Sequence, residues 1–283
     1  MARDTLSFIS HFSNNALFII DALGESDSQT AIHLNNTVRD ATSESRPGYC
    51  HYVKVECASQ FVDVLQRVND KTKEGLRPIL HIEAHGDMNL GMKIAASEEM
   101  ISWAQLMPQL QEINKNSKNN LGVVMATCFG FYAIKPLRIE EPCPFYFLIG
   151  ADEPVPVGYI DTEVSRFYLE LIRSNSLDVA MEKIEDKFRQ FHAEKFFYTT
   201  FGRYMSSACM GRGAQRRVER LLTMVVEGGA ITNRASLRTL RKLAKALVRS
   251  SERAFDKYSS RFLHGRKSVT YEEFRQFVRG GND

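Results

Sequence analysis

Two apolar runs, each closed by a glycine, constrain this chain more than any other feature. The segment from Pro78 to Asp87 is mostly apolar until it meets His85-Gly86, and so reads as a buried strand stopping at a tight turn. Leu121 to Gly130 repeats the form and ends in Cys128-Phe129-Gly130. In an open parallel sheet, residues just past the carboxyl ends of neighbouring strands converge on one crevice. An imidazole and a thiol 43 positions apart in the chain can therefore meet at one rim.

The surrounding segments fit a sheet with helical crossovers. Asn15 to Leu23 is an apolar run closed by Gly24 and reads as a central strand. Glu25 to Tyr49 is polar and rich in Ser, Asn and Thr, which predicts a loop with a short extended piece around Ala31 to Leu34. Tyr52 to Glu56 alternates as a half-buried strand. Phe61, Val64, Leu65 and Val68 then recur at helical spacing. Strand, strand, helix, strand in succession predicts a mostly parallel α/β sheet of five or six strands.

Asn89 to Met100 reads as a small hairpin. Ser102 is the expected N-cap of the next helix, with Gln105 as its capping-box partner and Pro108 as a kink or a division. Pro144 to Gly150 is another strand with a glycine stop, followed by a loop over Ala151 to Gly158. Asp161 to Arg173 and Ser176 to Phe191 read as amphipathic helices. Arg216 to Val226, Ser236 to Val248 and Tyr271 to Val278 complete a helical end.

Charge divides the chain. The overall balance is only +3, yet residues 203–283 hold 18 Lys/Arg against 7 Asp/Glu, leaving 19 against 27 in residues 1–202. This predicts a first domain over 1–202 and a basic helical region over 203–283 that meets something acidic: nucleic acid, an acidic partner or the first domain itself. Five cysteines show no CxxC spacing that would suggest zinc or a redox pair, and free thiols are expected. Asp256 to Phe274 has no ladder of carboxylates for calcium, and no GxGxxG or P-loop stands at a strand-helix junction. No cofactor is expected. The best early apolar run, Ala16 to Ile20, is far shorter than the roughly 20 residues that span a bilayer, so a cytoplasmic protein without a membrane partner is expected.

His-Gly after one strand and Ala126-Thr127-Cys128-Phe129-Gly130 after another resemble the caspase-like cysteine peptidases, a group that includes metacaspases, separase, gingipains and legumain. The segment looks closer to bacterial caspase-like proteins than to animal caspases, which carry Gln-Ala-Cys-x-Gly. The resemblance covers about residues 14 to 175 by strand order and is specific only at the two motifs. It implies a Cys128 nucleophile, a His85 acid-base partner, and an oxyanion site built from the N–H groups of Gly86 and Cys128. It also implies that Ala126, two positions before the cysteine, lines the pocket for the side chain preceding the cut. Asp152 and Glu153, in the loop after the next strand, are the candidates to give that pocket charge; Glu83 and Asp87 are the candidates to orient the imidazole. The implied activity is endoproteolysis of a protein partner, with antiphage defence and a gasdermin-like effector suggested by analogy alone. The competing reading is a non-catalytic scaffold that binds nucleic acid or an acidic partner through its basic tail.

Overall fold

The computed structural model describes residues 10–184, 187–228, 234–248 and 252–280. They divide into two compact units: residues 10–194 with Arg261–Ser268, and residues 195–260 with 269–280. The charge asymmetry places a boundary at Gly202, whereas the contacts place it at Glu194 and return Arg261–Ser268 to the larger unit.

The larger unit is α/β. Its strands are β1 (Ala16–Asp21), β2 (Cys50–Lys54), β3 (Pro78–Glu83), β4 (His85–Asp87), β5 (Gly91–Lys93), β6 (Met100–Ile101), β7 (Gly122–Ala126), β8 (Phe147–Ala151) and β9 (Phe188–His192). Six of them form one sheet in the order β2-β1-β3-β7-β8-β9, parallel throughout except for β9, while β4, β5 and β6 make a small antiparallel sheet. Residues of β1, β3, β7 and β8 are buried on both faces, which is why their sequences run apolar without alternation.

Leu17, Ile19, Ile79, Val124, Phe147 and Ile149 share a core with α1 (Thr30–Thr42) and α4 (Val157–Ser174). Strand alternation turns Leu80, Ile82, Val123, Met125 and Leu148 to the opposite face. That face is left for α2 (Ala58–Lys73) and α3 (Trp103–Asn116), which pack on each other. The capping box at Ser102 forms as its sequence predicts. Pro108, however, lies inside one continuous helix. Both ends of that helix are secured, by the box and by Asn114, whose side chain binds the Cys143 carbonyl and the Leu121 N–H.

Two expectations are corrected. The polar stretch after Gly24 holds the thirteen-residue α1, because Ala31, Leu34 and Val38 form a buried stripe and the buried Thr30 finds a carboxylate. The helix expected over Ser176 to Phe191 is instead a single turn, α5 (Leu177–Met181), followed by the antiparallel edge strand β9.

The smaller unit holds the rest of α6 (Ala193–Tyr204), a π-helical turn (Met205–Cys209), α7 (Gly211–Glu227), α8 (Arg234–Val248), most of α9 (Glu252–Phe262) and α10 (Tyr271–Gly280). Phe197, Phe201, Phe255 and Phe274 pack as a cluster of rings with centroids 5.0 to 5.9 Å apart. In the larger unit, Arg261–Ser268 is secured by Cys143 N–H to the Phe262 carbonyl at 3.0 Å and by Arg266 to Asn120 Oδ1 at 2.9 Å.

Leu80 is fully buried in a strand with neighbours on both sides. Leu80→Ala is expected to cost about 2–5 kcal/mol in urea unfolding, whereas Val62→Ala, on an exposed helix face, should stay within about 0.5 kcal/mol. Equal effects would contradict the layer assignment.

Candidate functional site

The site is set by strand register. Glu83, the last residue of β3, is paired with Ala126, the last residue of β7. His85 and Cys128 therefore stand at the same offset, two residues beyond a paired position at the carboxyl ends of adjacent parallel strands. Gly86 brings the two segments into contact: a Cβ there would lie 1.8 Å from the Cys128 carbonyl oxygen and 3.0 Å from Thr127 Oγ1. Only a residue without a side chain permits this approach.

Each partner is held by its own backbone. His85 opens the small antiparallel sheet and is paired with Lys93 of β5, so the main chain turns straight from β3 into a hairpin. Cys128 precedes Phe129, whose φ of 58° is the left-handed conformation that a bulky side chain rarely adopts. The chain then enters a 3-10 turn over Gly130–Ile134. This sharp exit from the strand puts Cys128 at its crest. The turn is packed closely from below, since a Cβ on Gly130 would meet Met125 Cβ at 2.6 Å, and one on Gly150 of β8 would meet the Phe131 nitrogen at 2.7 Å.

The His85 side chain is 53% exposed, and Cys128 is partly exposed. Among the described residues the Cys128 N–H donates to no backbone carbonyl. His85 Nε2 lies 2.9 Å from Oδ2 of Asp27, in the turn that follows β1. Because β1 flanks β3 on the side away from β7, the carboxylate, imidazole and thiol come from three successive strand ends. The same Asp27 oxygen accepts the Gly24 N–H at 2.7 Å. That backbone bond is the largest influence holding the Asp27 carboxyl below its ordinary range; slight burial opposes it, and His85 adds to it.

Asp27 is the residue that sequence reasoning missed, and the two carboxylates considered instead are engaged elsewhere. Glu83 is buried, accepts the Thr30 hydroxyl, and lies 2.9 Å from Nε2 of the fully buried His81. Asp87 closes the hairpin turn by accepting the N–H groups of Asn89 and Leu90, both at 2.8 Å. The only signal for Asp27 in the sequence is its place shortly after an apolar strand closed by Gly24, on the same rim.

The three pocket candidates fall at the same edge with different surroundings. Ala126 is buried in β7 at 4% exposure. Asp152, just past β8, has its charge matched by Arg189 Nε at 2.8 Å. Glu153 is exposed. Among the described residues no group of three or more His, Cys, Asp or Glu side chains gathers as a metal site. None of the helices is long and apolar enough to cross a membrane, over the same residues.

No protein-family model matches the chain, and no curated protein matches it either.

Two measurements follow from this geometry. Gly86→Ala should lower stability by about 1–3 kcal/mol in denaturant unfolding, because the added carbon meets backbone that cannot swing aside, while Gly158→Ala, with open space around it, should be near neutral. A neutral Gly86→Ala would refute the close approach. The depressed Asp27 carboxyl contributes stability that is present above its unfolded value of about 3.9 and lost as pH falls through its lower folded value. Its NMR titration midpoint should accordingly lie below about 3.9 and rise in His85→Ala; a midpoint above that value would contradict the hydrogen bonds described.

Proposed function

We propose that the chain is a caspase-like cysteine endopeptidase, with Cys128 as nucleophile and His85 as its acid-base partner. The observation that carries this reading is the matched position of the two residues beyond a paired register, joined through the contact of Gly86 with the Cys128 backbone. The mostly parallel six-stranded sheet flanked by helices is compatible with that class, and the two motifs resemble it.

In this reading the Cys128 sulfur, as thiolate, attacks the peptide carbonyl carbon, and the electron pair of the carbonyl moves onto oxygen. The N–H groups of Cys128 and Gly86 are assigned to that oxyanion; one such donor contributes roughly 3–4 kcal/mol where its loss has been measured. Collapse of the intermediate breaks the C–N bond as the imidazolium of His85 gives its proton to the departing amine. Water then adds to the thioester, His85 takes the water proton, and the acid product leaves as the thiolate reforms. Asp27 is a positioning residue here: its bond to Nε2 fixes the ring and leaves Nδ1 as the nitrogen that serves the thiol.

The electrostatics narrow the substrate. Arg189 matches the charge of Asp152, which favours an apolar or small side chain before the cut. The substrate in this reading is a partner protein, with a gasdermin-like effector as the analogy suggests, acting in the cytoplasm in antiphage defence.

The test is cleavage of a protein-derived peptide library by the purified chain. Cys128→Ala and His85→Ala should each abolish turnover. Asp27→Asn should lower kcat at least about tenfold with KM little changed, because a ring free to turn loses the productive tautomer more than it loses substrate contacts. Cleavage retained in both Cys128→Ala and His85→Ala would end the proposal.

A further inference from the structure

A concave site lies wholly within the smaller unit. It is an open cleft of about 540 Å³, lined by Tyr204, Ser207, Arg216, Arg217, Arg220 and Met224, among others. That volume is within the range of small-ligand clefts. Three guanidinium groups converge on it from one face of α7, and no acidic residue lines it.

The arrangement is unfavourable for a free helix. Arg216 and Arg220 are four apart on one face, a spacing at which like charges repel. The acid nearest in sequence, Glu219, does not relieve them, because it pairs with Arg241 of α8 at 2.9 Å. Among the described residues no carboxylate stands within ion-pair distance of Arg216, Arg217 or Arg220. Arg217 instead donates to the Tyr204 hydroxyl, and its guanidinium carbon lies 5.2 Å from the centre of the Tyr204 ring. This fixes a partly exposed aromatic ring in the wall of a cleft that the exposed Met224 also lines.

The backbone beneath is equally specific. The π-helical turn Met205–Cys209 interrupts the path from α6 to α7, and such turns recur at functional sites. Gly213 lets α7 sit against that turn, since a Cβ there would stand 1.8 Å from the Ser207 carbonyl oxygen. Arg216 and Arg217 follow within one turn of that contact, so the close packing sets where their side chains start.

We infer that this cleft binds a nucleotide unit, free or as part of a single strand of nucleic acid. Guanidinium forks match the planar, bidentate geometry of phosphate oxygens, and the exposed part of the Tyr204 ring that Arg217 does not cover, with Met224 in the same lining, gives a base apolar surface to stack on. An acidic peptide would satisfy the charges but make no use of the exposed surface of Tyr204 and Met224. This inference stands apart from the peptidase reading, since no residue of the cleft belongs to that site.

The test uses the purified full chain, with fluorescence anisotropy on a labelled single-stranded oligonucleotide and on a labelled nucleoside triphosphate, across a salt series. Binding of either probe is expected; the tighter one identifies the source of the nucleotide unit. Arg216→Ala with Arg220→Ala should weaken binding at least tenfold and, for the strand, make the dependence on log salt shallower by about one to one and a half units. Tyr204→Ala should weaken it several-fold, and Lys242→Ala with Lys245→Ala on α8 should leave it within twofold. Should the arginine double variant lose helix content by circular dichroism, Arg220→Gln alone reads the same contact. No binding of either probe, equal loss in the α8 control, or displacement by poly-glutamate as effective as by unlabelled oligonucleotide would each overturn the inference.

Discussion

The parallel pairing of β3 with β7, ending at Glu83 opposite Ala126, is the constraint on which the rest of the site depends. Register in a buried sheet is strongly specified, because a slip by one residue would turn every side chain to the wrong face. Here both strands are buried on both faces, and the packing of Leu80, Ile82, Val123 and Met125 opposite Ile79 and Val124 fixes the pairing. Once it is fixed, the two segments beyond it must run side by side, and a glycine at position 86 becomes a requirement of space. The left-handed Phe129 is sustained by the same packing, since Gly130 and Gly150 hold the turn from beneath.

Several acidic side chains along this rim have a specific side-chain partner. Asp21 takes Lys54 at 3.0 Å, Asp27 takes His85, Asp152 takes Arg189, and buried Glu83 is satisfied by His81 and Thr30. Acids close to one another in space would otherwise repel at the carboxyl ends of the strands. The distribution also explains why a carboxylate that looks available in the sequence need not face a ligand: Glu83 is close to His85 along the chain, yet its oxygens are committed inside the core. Asp27 is 58 positions away from His85 and touches its ring.

What could be read directly from the residues was whatever they encode locally. Long apolar runs closed by glycine marked β1, β3, β7 and β8, and the Ser102-Gln105 pair marked the start of α3, because burial on both faces and reciprocal capping each leave a distinct pattern. The stretch that became α1 escaped because its buried stripe is only Ala31, Leu34 and Val38 among polar residues, and its first residue gains its partner from a strand 53 positions later. Phe188 and Phe191 are spaced like a helix, yet Arg189 and Gln190 between them are exposed, and pairing with β8 decided the conformation. The rim position of His85 and Cys128 was legible because strand ends announce themselves. The neighbour of His85 on its other side was not, because a carboxylate in a polar turn carries no pattern until the sheet is assembled.

The proposed peptidase activity requires the thiol at the end of β7 and the imidazole at the end of β3 to act at one accessible rim. Peptide acyloxymethyl ketones bearing Leu, Arg or Asp before the reactive group, followed by mass-spectrometric mapping of all five cysteines, test it most directly. The expected result is a single adduct at Cys128 with one of these side chains preferred, formed by the wild-type chain and lost in His85→Ala. Adducts distributed among Cys50, Cys57 and Cys128 without regard to the peptide, or an unchanged rate at Cys128 when His85 is removed, would contradict it.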